Sequence, residues 1–121
     1  MKRVLIADDE RALRLMIQAT LKPMEVELLQ AADGEEALAL AQAEMPDLLL
    51  LDWMMPKMTG VEVAAVLREN DETKSIPIIM LTARGQQRDE HAAKIAGVDQ
   101  YITKPFSPRQ LLALVRQTLG E

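Results

Sequence analysis

Short, uninterrupted apolar runs recur along the chain. Residues 4–7 read VLIA and residues 48–51 read LLLL, without the alternation expected of a strand with one solvated face. Such runs are typical of strands that are covered on both faces, as in a parallel sheet. The sequence predicts five strands, at residues 4–7, 26–32, 48–51, 76–81 and 100–103.

The segments between these runs carry apolar residues at helical spacing. A first helix over residues 13–21 is predicted to stop at Pro23, and a second begins after the N-cap residue Asp33 and stops at Pro46. We expect a buried stripe on this second helix that consists of Ala37, Leu38, Ala41 and Met45.

Capping signals mark the remaining helices. A fourth helix is predicted over residues 86–96, before Gly97. The third and fifth helices each begin with a capping box, formed by Thr59 with Glu62 and by Ser107 with Gln110.

Strand and helix therefore alternate five times. Short connections with right-handed crossovers turn such an alternation into a parallel sheet with helices on both faces. The sequence predicts an α/β domain, with five strands and five helices, that spans residues 1–121. At 49% hydrophobic content and with no cysteine, a core is expected to form without disulfides or thiolate-bound metal.

Several classes of protein are disfavoured by composition. The apolar run before Asp8 has only four residues, too few for a signal peptide, and no apolar run approaches the ~20 residues of a membrane helix. A net charge of -5 argues against direct binding of nucleic acid by this domain. We expect a cytoplasmic protein without a membrane partner.

Polar side chains stand at the carboxyl ends of four predicted strands. Taken alone, each is an ordinary cap, turn or solvated residue. Because ligands gather outside the carboxyl ends of an open parallel sheet, their joint occurrence there indicates a binding site. These residues are Asp8, Asp9, Asp52, Thr82 and Lys104.

Three carboxylates at one edge repel one another. At a separation of about 4 Å and an effective dielectric of about 20, each pair costs roughly 4 kcal/mol, so the cluster is expected to take up protons or a cation. Oxygen ligands favour Mg²⁺. With Lys104 and the Thr82 hydroxyl opposite, the arrangement suits phosphoryl transfer to a carboxylate.

Four motifs resemble the receiver domains of two-component response regulators. They read ADDE, LDWMMPKMTG, LTA and YITKPF, in that order, and the resemblance covers essentially the whole chain. It implies a doubly wound, flavodoxin-like three-layer sandwich with strand order 2-1-3-4-5.

The resemblance also implies roles for the strand-end residues. Asp52 is then the phosphoryl acceptor. Mg²⁺ is bound directly by Asp9, Asp52 and the backbone carbonyl of Met54, whereas Asp8 acts largely through water. Lys104 pairs with one phosphoryl oxygen, and Thr82 hydrogen-bonds another once the group is attached.

Neighbouring positions match further features of the family. The Lys104–Pro105 peptide is expected to be cis, and Tyr101 matches the switch aromatic that turns inward as Thr82 moves. Met54 and Arg84 occupy two variable positions that tune access of the hydrolytic water; here they are expected to shield the phosphate.

Partners follow from the same resemblance. The phosphodonor is expected to be a sensor histidine kinase, a phosphotransfer protein or a small phosphodonor, and the receiver would control an output domain or target protein. It is not an enzyme in the usual sense, although it catalyses its own phosphorylation and dephosphorylation. A homodimer is expected through the fourth helix, fifth strand and fifth helix, although Gln110 and Leu114 replace an acid and an arginine common there.

Three other classes of protein are alternatives to a receiver domain. A haloacid dehalogenase-type phosphatase normally has an acid two residues after its nucleophile, where this chain has Met54. A flavin-binding protein would need a phosphate-cradling loop where this chain has Asp8, Asp9 and Glu10. A phosphorylation-independent interaction module remains as the alternative.

Overall fold

A five-stranded parallel sheet lies at the centre of the computed structural model, which describes residues 1–83 and 97–120. Its strands are β1 (Lys2–Ala7), β2 (Val26–Ala31), β3 (Leu48–Asp52), β4 (Ile78–Ala83) and β5 (Gln100–Lys104). They are arranged in the order β2-β1-β3-β4-β5, which confirms the predicted topology. β3 is therefore the central strand.

Helices cover both faces of the sheet in the described part of the chain. They are α1 (Arg11–Leu21), α2 (Gly34–Glu44), α3 (Gly60–Glu69) and α4 (Pro108–Leu119). α1 and α4 pack on one face, and α2 and α3 pack on the other. The helix predicted over residues 86–96 lies outside the described residues.

The uninterrupted apolar runs are explained by burial on both faces. In β3, Leu49 and Leu51 face the cluster under α2 and α3, whereas Leu48 and Leu50 face the cluster under α1 and α4. All four leucines are fully buried. A strand covered on both faces has no solvated positions at which polar residues would be favoured.

The predicted caps are present. The Glu36 N–H donates to the Asp33 carboxylate at 2.8 Å, so this side chain caps α2. Capping boxes open α3 and α4, each with a hydroxyl that accepts from the third helical residue and a side chain that returns a hydrogen bond. These signals are local, which is why the sequence alone was enough to predict them.

Two local predictions were wrong. Met45 is 43% exposed instead of buried, because it adopts the left-handed C-cap conformation at φ 49° and its N–H donates to the Ala41 carbonyl. β4 begins at Ile78 instead of residue 76, since Pro77 has no N–H to donate to a sheet ladder. The strand instead continues through Thr82 to Ala83.

No helix in residues 1–83 or 97–120 is long and apolar enough to cross a membrane.

Gly34 brings the start of α2 against the loop that follows β3. Its N–H donates to the Pro56 carbonyl at 3.2 Å. A Cβ atom at this position would lie 2.2 Å from the Met58 carbonyl oxygen. The absence of a side chain at Gly34 therefore lets the two loops at this edge of the sheet touch.

We predict that Gly34→Ala destabilises the protein by about 1–3 kcal/mol, because overpacking against backbone cannot be relieved by a rotamer change. Urea unfolding checks this result. Gly120→Ala is the control: a Cβ there meets nothing within 4 Å, and only the cost of φ 78° remains, about 1 kcal/mol. A Gly34→Ala protein as stable as the wild type would contradict the close approach.

Candidate functional site

Asp52 is the last residue of the central strand. It lies opposite Leu81 of β4, and the Trp53 N–H then donates to the Leu81 carbonyl at 3.1 Å. Four buried leucines precede it, and its own exposed fraction is 6%. The strand therefore places a carboxylate, nearly removed from solvent, at the carboxyl edge of the sheet.

Two further carboxylates from the turn after β1 lie beside it. One oxygen from each of Asp8, Asp9 and Asp52 lies within 4.8 Å of the other two. Asp8 is fully buried, whereas Asp9 is exposed. The cluster predicted from the strand ends is thus brought together, with one member open to solvent.

Lys104 joins the cluster from the end of β5. Its Nζ donates to Asp8 Oδ2 and to Asp52 Oδ1, both at 3.0 Å. These short, charge-assisted hydrogen bonds compensate two buried negative charges with a single ammonium group. Lys104 therefore ties together residues that lie far apart in sequence.

Burial and neighbouring charge alter the acid–base properties of this cluster. Burial, followed by the negative charge of Asp8, raises the pKa of Asp52 to about 6, although Lys104 opposes the shift. Burial alone would lower the pKa of Lys104, but its hydrogen bonds to Asp8 and Asp52 outweigh it and raise that pKa. The lysine stays charged, and Asp52 is largely ionised above pH 7.

Thr82 and Tyr101 lie on the neighbouring strands. Thr82 is 4% exposed, and its hydroxyl donates to the Ile102 carbonyl at 3.5 Å, a long hydrogen bond. The Tyr101 side chain is half-buried and packs against the hydrophobic cluster under α2 and α3. The Lys104–Pro105 peptide is cis. Arg84 lies outside the described residues.

The loop after Asp52 places three consecutive side chains differently. Trp53 and Met55 are each 8% exposed and belong to the core, whereas Met54 is 58% exposed. The Gly60 N–H donates to the Trp53 carbonyl at 2.8 Å, and Lys57 adopts φ 73°. A tightly folded loop thus presents the Met54 side chain to solvent, two residues after Asp52.

Two contacts at this edge were not predicted. The Arg14 guanidinium donates to the Asp8 carbonyl, and Gly34 contacts the loop after β3. Arg14 looks like an ordinary surface residue of an amphipathic helix, and Gly34 looks like part of a helix cap. No local signal reveals either contact, since each joins two segments that are separate in sequence.

The donor set fits a hard divalent cation. Three carboxylates offer oxygens within 4.8 Å of one another, and the exposed Asp9 leaves room for water in the coordination shell. No cysteine is present in the chain to favour a softer metal. The residues at this edge are therefore suited to Mg²⁺.

Fold and site together define a class of protein. It is a doubly wound α/β domain with an acidic cluster and a lysine at the carboxyl edge of its sheet. The chain belongs to the response regulator receiver domain family, whose model matches residues 4–116.

Curated relatives agree with this assignment. The chain is 44% identical over 118 residues to the phosphate regulon transcriptional regulatory protein PhoB of Pseudomonas aeruginosa, covering 98% of this chain and 52% of that protein. It is 42% identical to the alkaline phosphatase synthesis transcriptional regulatory protein PhoP of Bacillus subtilis, covering 98% and 48%. The chain thus spans about half the length of the curated relatives it matches.

Solved structures show the same fold. Chemotaxis response regulator CheY4 of Vibrio cholerae matches with a TM-score of 0.90 and 36% identity, covering 98% of both chains. The receiver domain of sensor histidine kinase PA1611 from Pseudomonas aeruginosa matches with a TM-score of 0.89 and 27% identity, covering 99% of this chain and 98% of that one. The latter structure has a magnesium ion coordinated in its active site cleft.

The function of this chain is therefore that of a receiver in a two-component phosphorelay. The predicted family and fold class are confirmed.

We predict that Asp52→Asn stabilises the metal-free protein by about 1–3 kcal/mol at pH 8. The pKa of Asp52 is about 6 in the folded state and 3.8 as its ordinary value, so the folded state binds more protons between these values. The contribution of Asp52 to the free energy of unfolding therefore falls as pH rises from 4 to 6, and an uncharged amide escapes this loss. The gain should become small near pH 4.

Urea unfolding in EDTA at pH 4 and pH 8 measures this difference. Asp71→Asn is the control, because the Asp71 side chain is 94% exposed and should show little effect at either pH. An Asp52→Asn protein less stable than the wild type at pH 8 would be inconsistent with a raised pKa.

Proposed function

We propose that Asp52 accepts a phosphoryl group from the phosphohistidine of a sensor histidine kinase or phosphotransfer protein, in a reaction that needs Mg²⁺. One observation carries this proposal. The Asp52 carboxylate is held at 3.0 Å by Lys104 and lies within 4.8 Å of the carboxylate oxygens of Asp8 and Asp9.

The chemistry requires little beyond position and charge. An Asp52 oxygen attacks phosphorus in line, the phosphorus–nitrogen bond to the donor histidine breaks, and its electron pair leaves with the imidazole. With a pKa of about 6, Asp52 is available in its nucleophilic, ionised form above pH 7. The domain thus promotes its own phosphorylation, and water later hydrolyses the acyl phosphate in the same site.

Asp9, Asp52 and the backbone carbonyl of Met54 are the proposed direct ligands of Mg²⁺. Asp8 is engaged on both oxygens, since Oδ1 accepts from the Glu10 N–H at 2.9 Å and Oδ2 accepts from Lys104. This engagement supports a role for Asp8 through water. When bound, Mg²⁺ would neutralise charge on the oxygens of the transferring group.

Lys104 and Thr82 are proposed to bind the attached phosphoryl group. The Lys104 ammonium can exchange a carboxylate oxygen of Asp52 for a phosphoryl oxygen, because both are anionic acceptors. Within residues 1–83 and 97–120, the Thr82 hydroxyl donates a long hydrogen bond to the Ile102 carbonyl, at 3.5 Å, and a phosphoryl oxygen is a better acceptor. We propose that Tyr101 turns inward as Thr82 moves.

Met54 and Arg84 are proposed to slow loss of the phosphoryl group. Met54 follows Asp52 by two residues and its side chain is 58% exposed, so the thioether is free to cover the group and hinder the approach of water. A methionine at position 54 also means that the chain lacks the acid that a haloacid dehalogenase-type phosphatase would need there.

We propose that residues 1–121 form one receiver domain whose phosphorylation controls a partner or an output domain. Names of the curated relatives point to transcriptional regulation, but this segment itself carries a net charge of -5 and is not expected to bind nucleic acid directly. We also propose that the protein is cytoplasmic. A homodimer is proposed to form through residues 86–96, β5 and α4.

Intact mass spectrometry after incubation with acetyl phosphate and Mg²⁺ tests the function. The wild-type protein should gain the mass of one phosphoryl group, and EDTA should prevent the gain. Asp52→Asn should gain none, because an amide does not attack phosphorus. Asp71→Asn, at an exposed carboxylate away from the cluster, should gain the same mass as the wild type.

Two results would overturn this function. One is the absence of any phosphoryl mass in the wild type, which would favour a phosphorylation-independent interaction module. The other is a mass gain that persists in Asp52→Asn, which would place the acceptor elsewhere.

A further inference from the structure

Arg14 links the turn after β1 to the edge strand of the sheet. Its side chain is half-buried in the second turn of α1. Nη1 donates to the Asp8 carbonyl oxygen at 2.6 Å, and Nε donates to Gln30 Oε1 at 3.2 Å. The guanidinium therefore spans from the turn that carries Asp8 and Asp9 to β2.

Asp8 is held at four atoms, and Arg14 supplies one of these contacts. The Asp8 N–H donates to the Ala31 carbonyl at 3.1 Å, and its two carboxylate oxygens accept from Glu10 and Lys104. Arg14 holds the remaining polar atom, the backbone carbonyl. This carbonyl belongs to the peptide that joins Asp8 to Asp9, so its orientation influences where the Asp9 side chain points.

The start of α1, directly after this turn, has no side-chain cap of its own. Glu10, the N-cap residue of α1, makes no side-chain capping hydrogen bond, unlike the residues that cap α2, α3 and α4. The Asp9 carboxylate is exposed and must be aimed toward Asp52 by its backbone. A guanidinium with several donors in a rigid plane can hold a carbonyl in one orientation.

We propose that Arg14 is a positioning residue of the metal site: it holds the Asp8–Asp9 peptide so that the Asp9 carboxylate faces Asp52, and thereby strengthens Mg²⁺ binding. This inference rests on the proposed function, since it assumes that the acidic cluster binds Mg²⁺. Residues that orient direct ligands commonly change metal affinity by tenfold or more.

Positioning and simple electrostatics predict opposite effects of removing this arginine. A positive charge near a cation site repels the cation, so loss of the charge alone should tighten Mg²⁺ binding. Loss of the hydrogen bond to Asp8 should loosen the turn and weaken binding. The sign of the change therefore separates the two roles.

Arg11 provides a matched control on the same helix. It lies one turn before Arg14, has the same charge and is exposed. Its side chain makes no ion pair or hydrogen bond with another residue of the described chain. Arg11→Gln thus removes a nearby charge without removing a contact at the site.

Mg²⁺ titration of both variants by calorimetry, at constant ionic strength, is the decisive experiment. We expect Arg14→Gln to raise the Mg²⁺ dissociation constant by about tenfold, whereas Arg11→Gln should leave it unchanged or lower it slightly. At saturating Mg²⁺, the rate of phosphorylation of Arg14→Gln by acetyl phosphate should return close to the wild-type rate, because the reacting groups are intact.

A metal-free measurement supplies an independent readout. The Glu10 N–H donates to Asp8 within the same turn, so its hydrogen exchange should accelerate in Arg14→Gln and stay unchanged in Arg11→Gln. Gln30→Leu removes the other partner of Arg14 without altering charge, and it should weaken Mg²⁺ binding in the same direction by a smaller factor. If Arg14→Gln fails to fold, Mg²⁺ binding by Gln30→Leu tests the proposal in its place.

Each result decides a different point. If the wild type binds Mg²⁺ and is phosphorylated, but Arg14→Gln or Gln30→Leu binds Mg²⁺ as tightly as Arg11→Gln, the positioning role of Arg14 is overturned and the proposed function stands. If the wild type neither binds Mg²⁺ nor gains a phosphoryl group, both are overturned.

Discussion

The ammonium group of Lys104 is the constraint on which the site depends. It compensates two buried carboxylates, Asp8 and Asp52, at 3.0 Å each. Without it, the carboxylates would face each other at the edge of the sheet, and burial would drive one of them to take up a proton. The same lysine joins the ends of β3 and β5 to the turn after β1. The hydrogen bonds that compensate the two charges therefore also hold these three segments together.

The register of the sheet fixes the positions of Asp52 and Lys104 relative to each other. Asp52 lies opposite Leu81, and Ala83 lies opposite Lys104, so β3, β4 and β5 end within two residues of each other. Buried side chains on both faces hold that register, because a slip would move each of them out of its close packing under the helices. Core packing under the helices thus determines where the reactive side chains lie.

Features that depend on neighbouring residues in the sequence, such as helix caps and strand ends, were predicted from the sequence. The Thr59–Glu62 capping box and the carboxylate after four leucines were visible in the sequence, and strand order came from the resemblance of the motifs. The prediction that Met45 is buried was wrong because Met45 adopts a left-handed C-cap conformation, which ends the helix just before Pro46. Arg14 and Gly34 could not be found, since their contacts join segments whose proximity only the folded sheet creates.

A double-mutant cycle between Lys104 and Asp52 tests the central claim most directly, by urea unfolding of the metal-free protein at pH 8. Lys104→Met should cost about 3–5 kcal/mol in the wild type, because it leaves buried carboxylates unpaired. In the Asp52→Asn background that cost should fall by at least about 1 kcal/mol, since one carboxylate is gone. Equal costs in the two backgrounds, to within about 0.5 kcal/mol, would contradict the compensation of Asp52 by Lys104.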